Sequence, residues 1–316
     1  MPTRPPRLRF GDTLGIIAPG SPPADAKLID RGIAALEKIG FKIKPGSGMR
    51  KRIGFLAGND RDRAADLMQM FTDKKVNAIF TLRGGYGAAR ILPLLDYKTI
   101  RANPKILVGY SDVTSLHCAL LIHAGLISFH GPLSVEFSQD RLQTFTVNCL
   151  LRTIMDVKPP GSICKGYDKK GVRVLRGGQA AGPLIGGNLS VLCTTIGTSY
   201  QPSFRGKILY LEDVGEAPYR FDRMLTHLLN AGVLQQVAGI AIGVNSGCVD
   251  TRAKTTREYR QTVEDVLIGR LTPLKVPVVT GLPFGHGHHN ATLPVGARAL
   301  LDGKNGDLII NQRVVA

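Results

Sequence analysis

The chain has 316 residues, 43% of them hydrophobic and 21% charged. That length and apolar content suit a fully folded protein of two domains, and they exclude a disordered, fibrous or low-complexity chain. A net charge of +17 raises nucleic acid as a partner, but Lys and Arg are spread along the chain without interleaved aromatics or a recognition motif, so the expectation is a basic surface that attracts a small acidic solute and no nucleic acid.

At the start, MPTRPPRLRFGDTLGIIAPG has basic residues but only a short apolar stretch broken by Gly, Asp and Pro, so no secretory signal is expected. No apolar run of about eighteen residues follows, so no membrane association is expected either. The five cysteines are scattered and lack CxxC or zinc-type spacing; they predict reduced thiols in a cytoplasmic protein.

Short β-branched runs then alternate with amphipathic helical patterns. Strands are predicted at 13–18, 41–44, 76–82, 105–108 and 126–129, with helices at 24–39, 59–73, 86–96 and 112–124 between them. The alternation implies βαβ units and a parallel sheet. Two segments here could carry chemistry. In FTLRGGYGAAR a strand runs through Gly84 and Gly85 into a helix, so the loop is either a tight turn needing positive φ or a set of backbone donors for an anion. The dinucleotide pattern fails at its last position, and no GK[ST] follows. In LVGYSDVT, Ser111 stands where a buried strand gives way to a helix. Taken alone it is most simply an N-cap; the same placement serves a nucleophile elbow, with the Asp112 amide facing an oxyanion.

A helical stretch at 141–155 leads into KPPGSICKGYDKKG, rich in Pro, Gly and Lys, which predicts a linker at 157–176 between domains 1–156 and 177–316. The fold class is thus α/β, with a parallel-sheet N-terminal domain and a mixed α/β C-terminal domain. Beyond the linker, strands are predicted near 207–211, 239–244, 276–280 and 297–301, and helices near 189–196, 219–229 and 257–271. KILYLEDVGEAPYRFDRML ends an apolar strand on Glu212, a carboxylate that needs a partner if buried; Asp213 and Glu216 are covered by an ordinary helix-dipole role. GLPFGHGHHNATLPVG holds His286, His288 and His289, readable as a metal tract or as a loop histidine brought close by Gly285 and Gly287 to act as a general base. A serine, a glutamate and a histidine in that order can supply nucleophile, orienting acid and base.

These segments together make the chain resemble the LD-carboxypeptidase family of serine peptidases, the group of muropeptide carboxypeptidases and the microcin C self-immunity hydrolase. The resemblance rests on GDTLGIIAPGSP, RGGYGAARILPLLD, VGYSDVTSLH, the GPL at 131–133, GGNLSVL, LYLEDVGEAPYRFDRML and GLPFGHGHHNATLPVGARALLD. It implies Ser111 as nucleophile, Glu212 as acid and His286 as base, oxyanion donors at the Gly85 and Asp112 amides, and an active site between the domains. It also implies a homodimer, no metal and no cofactor. The implied reaction releases a terminal D-amino acid such as D-alanine from a muropeptide tetrapeptide during cytoplasmic peptidoglycan recycling. An acidic substrate of that kind would suit a basic enzyme, and charge and position make Arg83 a candidate contact for its carboxylate. The alternatives are a peptidyl-nucleotide hydrolase of the microcin type, a metal-dependent hydrolase and a non-catalytic binding protein.

Overall fold

The computed structural model describes residues 1–138, 143–250 and 261–316. The first half runs β1 (Thr13–Ile17), α1 (Lys27–Ile39), β2 (Lys42–Pro45), α2 (Asp60–Thr72), β3 (Ala78–Thr81), α3 (Ala88–Ile91), α4 (Tyr97–Ala102), β4 (Ile106–Gly109), α5 (Thr114–Ala119), β5 (Ser128–His130) and α6 (Thr144–Met155). Each strand and helix predicted up to residue 130 is present within a few residues, apart from two changes in the helices. The helix expected at 86–96 stops after one turn at Ile91 and passes into a 3-10 turn, because Pro93 cannot continue an α-helix. The one expected at 112–124 is a 3-10 turn at Ser111–Val113, then α5, then a π-helical turn at Leu120–Ala124. Part of the 141–155 prediction, residues 141–142, lies outside the described residues.

The second half contributes β6 (Gly161–Ser162), β7 (Arg173–Arg176), β8 (Gln179–Asn188), α7 (Leu189–Cys193), β9 (Ile208–Glu212), α8 (Pro218–Asn230), β10 (Gly239–Ile242), α9 (Val263–Leu271), β11 (Val278–Thr280), β12 (Leu293–Val295), β13 (Arg298–Asp302) and β14 (Asp307–Ile310). Residues 257–260 of the helix predicted at 257–271 lie outside the described residues; α9 itself opens on a capping box of Thr262 and Asp265.

Two sheets result. The first has the order β12-β5-β4-β3-β1-β2, with β1 to β5 parallel and β12 antiparallel on one edge. The second has the order β6-β14-β13-β8-β9-β10-β11-β7, parallel from β8 to β11 and antiparallel outside them. The stretch at 157–176 is therefore not a free linker: its strands β6 and β7 close the two edges of the second sheet. The Pro, Gly and Lys residues lie mostly before β6 and in the long connection between it and β7, which is why the composition reads as a linker. In exchange, β12 crosses back to the first sheet, and one apolar core runs continuously from Leu14, Phe80 and Val108 to Leu209, Phe284 and Leu293.

The topology predicts where chemistry can sit. In the first sheet the strand order reverses between β1 and β3, and open α/β sheets place ligands outside the carboxyl ends of strands at such a point. The loops after β1, β3 and β4 all emerge there. In the second sheet the loops after β9, β10 and β11 face the same seam.

Candidate active site

Strand β4 is wholly buried and ends at Gly109; Tyr110 continues extended, and Ser111 then takes φ +64°, one of two non-glycine residues with positive φ among the described residues. A left-handed backbone costs a side-chain-bearing residue roughly 1–2 kcal/mol. A capping serine keeps ordinary extended φ/ψ and receives an amide hydrogen bond, and Ser111 does neither. The turn instead exposes its side chain at the head of α5, in the manner of a nucleophile elbow.

The glycine loop after β3 packs on this turn. A Cβ on Gly84 would lie 2.8 Å from the Ser111 Cβ and 3.0 Å from its Oγ, so only glycine lets the loop approach so closely. Ser21, after β1, pins the loop from the other side: its N–H donates to the Gly84 carbonyl at 3.2 Å and its Oγ accepts from the Tyr86 N–H at 3.1 Å. The buried Asp112 carboxylate accepts from the Ala88 N–H at 2.8 Å, tying the elbow to the start of α3. Burial pushes the Asp112 pKa up, against the backbone donors and Arg63. Among the described residues no hydrogen bond uses the backbone N–H of Gly85 or of Asp112.

From the other half, Glu212 ends β9 with no exposed surface. His286 Nδ1 lies 2.6 Å from its Oε2, and the His286 backbone N–H donates to the same oxygen at 3.3 Å. Gly285 makes this approach possible: it has φ +93°, and a Cβ there would lie 2.7 Å from the Glu212 side chain. With Nδ1 turned to the carboxylate, the Nε2 of His286 is left to face other groups. Burial disfavours the imidazolium, but the Glu212 hydrogen bond and charge, helped by Glu136 and Asp213, outweigh it and raise the His286 pKa above its ordinary 6.5.

The halves meet at these groups. The imidazole of His286 lies 4.6 Å, ring centre to ring centre, from Tyr110, the residue immediately before Ser111. Thr114 of α5 accepts the Asn188 N–H at 3.0 Å. A cleft of about 540 Å³ opens at the seam, lined by Tyr110, Glu136, Tyr167, Val214, Val244, Ser246 and residues 286–289.

Other sequence candidates lie elsewhere. Arg83 is half-buried and donates to the Pro22 carbonyl at 2.8 Å, bracing the turn after β1, and is not among the residues lining the cleft. The histidine tract diverges: His286 turns to Glu212, His289 packs between the rings of Phe145 and Tyr167, and His288 is exposed. Among the described residues no group of three or more His, Cys, Asp or Glu side chains is arranged to hold a metal ion. Asp213 does not serve the helix that follows it; it accepts from Asn188 and from the Ser190 N–H at the start of α7. Tyr110, Glu136, Ser21 and Ser246 are cleft or loop-bracing residues that the sequence did not single out. The first two stand inside quoted or adjoining segments, LVGYSDVT and GPLSVEF, and an acid just past a Gly-Pro turn was the available signal.

Comparison with known proteins agrees with this architecture. Residues 14–131 match the profile of the LD-carboxypeptidase N-terminal domain and residues 181–301 that of the C-terminal domain. The chain is 37% identical to a probable murein peptide carboxypeptidase of Bacillus subtilis, covering 95% of this chain and 91% of the relative. It is 31% identical to the murein tetrapeptide carboxypeptidase of Pseudomonas aeruginosa, covering 92% and 93%. Among solved structures it superposes on the microcin C7 self-immunity protein MccF in complex with glutamyl sulfamoyl guanosine, with TM-score 0.88, 25% identity and full coverage of both chains. It also superposes on a muramoyltetrapeptide carboxypeptidase from Oxalobacter formigenes, with TM-score 0.79, 31% identity and coverage of 95% and 99%. With both halves matched in order and across most of its length, the chain belongs to the LD-carboxypeptidase family.

Proposed function

We propose that this protein is a serine LD-carboxypeptidase that hydrolyses the amide joining an L-centre to a terminal D-amino acid, releasing D-alanine from a muropeptide tetrapeptide. The observation that carries the reading is that a strained, partly exposed Ser111 directly follows Tyr110, whose ring lies 4.6 Å from the imidazole of the Glu212–His286 dyad. Ser111 is the nucleophile. Its proton passes to His286 Nε2 as the Ser111 oxygen bonds to the scissile carbonyl carbon. The negative charge that develops on the carbonyl oxygen is held by the Gly85 and Asp112 amides. His286 then gives its proton to the leaving amine as the C–N bond breaks, and water, deprotonated by the same histidine, resolves the acyl-enzyme. Glu212 keeps the proton on Nδ1 and stabilises the imidazolium.

A basic surface favours a substrate with several carboxylates through encounter rate. Five free cysteines, most of them buried, support a reducing compartment such as the cytoplasm, where recycled muropeptides would be met. A second reading, hydrolysis of a peptidyl nucleotide, draws support from the fold similarity to MccF at TM-score 0.88. The test is D-alanine release from tetrapeptide by wild type and Ser111→Ala, with and without EDTA, beside a peptidyl-sulfamoyl nucleotide as rival substrate. Release by wild type alone, indifferent to chelator, is expected. Activity that survives in Ser111→Ala overturns the serine mechanism, and turnover of the nucleotide alone moves the substrate to the second reading.

A further inference from the structure

Behind the cleft, the 3-10 turn Ser134–Ser138 is fixed by bonds to the end of β3: the Val135 N–H donates to the Leu82 carbonyl at 3.1 Å and Ser134 Oγ to the Thr81 carbonyl at 3.2 Å. This turn presents Glu136 to the cleft. Its carboxylate accepts from the Tyr110 hydroxyl at 2.7 Å on Oε1 and from the Leu133 N–H at 2.8 Å on Oε2. Tyr110 in turn lays its ring against His286. A chain of contacts thus runs from a rigid part of the first half, through Glu136 and Tyr110, onto an imidazole carried by the second half.

We infer that Tyr110 and Glu136 are positioning residues for His286: the tyrosine ring fixes the plane of the imidazole, and the glutamate pins the tyrosine and sets a second carboxylate near the imidazole in addition to Glu212. Glu212 and Gly285 anchor the histidine through its Nδ1 and backbone, which leaves rotation and tilt of the ring to be set by what it packs on. Tyr110 is nearly fully buried and its hydroxyl is tied to Glu136, so it offers a fixed wall. The charged and titratable groups around His286 are Glu212 at the end of β9 and Asp213 just after it, Glu136 from the 3-10 turn, Tyr110 from the elbow, His130 from β5, and Tyr167, His288 and His289 along the cleft. His130 does not oppose the two glutamates with a charge, because burial holds its pKa well below 6.5 and keeps it neutral. Burial raises the Glu136 pKa above its ordinary value, and the two hydrogen bonds its carboxylate accepts work the other way and favour the anion.

The inference rests on His286 acting as base, and its test separates the two ideas. The ring of His286 is titrated by NMR in wild type, Glu136→Gln, Tyr110→Phe and the double variant, without substrate. Glu136→Gln preserves the shape and an acceptor for the tyrosine, and Tyr110→Phe preserves the ring, so folding is retained and is checked by melting temperature. The His286 midpoint should move to lower pH in Glu136→Gln, less so in Tyr110→Phe, and the double variant should fall short of the sum because the two act as one unit. In turnover, kcat should fall by less than the roughly 10²-fold or more that loss of the base itself costs, with KM unchanged and the acid limb of kcat/KM moved in parallel with the NMR midpoint. An unmoved midpoint in Glu136→Gln overturns the inference even if the wild type is an active peptidase. A moved midpoint in a protein that hydrolyses nothing upholds the coupling and rejects the proposed function instead.

Discussion

The two halves of the molecule equip the cleft by different physics. The first half works with backbone: a serine forced to φ +64°, a glycine loop pressed on it, and amides left over at Gly85 and Asp112. The second half works with charge: a carboxylate with no exposed surface and a histidine 2.6 Å from it. Backbone strain is bought with local stability, whereas a carboxylate with no exposed surface depends on a partner held within hydrogen-bond reach. Substitutions in the first half should therefore trade activity against stability, and those in the second should damage both.

The sharpest break of this contrast is Glu212→Gln, which keeps shape and removes the charge. Loss of the acid of such a unit costs roughly 10⁴-fold in kcat, and the acid limb of the pH profile should move down because the main influence raising the His286 pKa is gone. Steady-state kinetics across pH checks both. Gly285→Ala comes next: the new Cβ meets the Glu212 side chain at 2.7 Å and φ +93° is strained for alanine. About 10²-fold loss of kcat is expected from misplacing the dyad, together with about 2 kcal/mol of stability read by urea denaturation.

The pH dependence of stability sharpens the comparison with two histidines of opposite sign. His286 has a folded pKa raised above 6.5, so its contribution is fully present below pH 6.5 and is lost as pH rises through the folded value. His117 is buried between the Ser128 hydroxyl and the Gly109 carbonyl, and burial pushes its pKa down to about 4. The unfolded chain binds a proton there that the native state refuses, so stability falls as pH drops from 6.5 toward 4, by about 1.4 kcal/mol per pH unit. The buried acids Asp112, Glu136 and Asp213, with pKa raised by burial, bend the profile the other way. The comparison that isolates His117 is thus wild type against His117→Asn at pH 7 and pH 5. A slope unchanged by the substitution contradicts the assignment.

The smallest stability effect is expected at the elbow. Ser111→Gly should raise stability by ~1 kcal/mol by relieving the left-handed strain, while activity disappears; Ser111→Ala should lose activity without that gain. Equal melting temperatures for the two variants would remove strain from the account.

Much of this was legible in the sequence, for reasons that differ by region. The first sheet's strands are β-branched and its helices have one apolar stripe, so period and alternation located them. Strand β8, QAAGPLIGGN, was missed because Gly and Pro hide a strand whose value is close approach to β9 and α5. Edge strands β6 and β7 were missed because they are only two and four residues long and the Pro-, Gly- and Lys-rich connection around them dominates the stretch. At the site, Ser111 and His286 each had an ordinary local explanation, and only the order of motifs along the chain joined them. Glu136 escaped because its meaning depends on Tyr110, 26 residues away in sequence, and on His286, carried by the other half of the chain.

The central claim is that Ser111 carries the acyl group during turnover. Wild-type protein mixed with tetrapeptide, quenched in acid within milliseconds to seconds and digested, should yield the peptide bearing Ser111 with the added mass of the substrate lacking its terminal D-alanine, with D-alanine released in step. Turnover with no adduct at Ser111, or with the adduct on another residue, would contradict it.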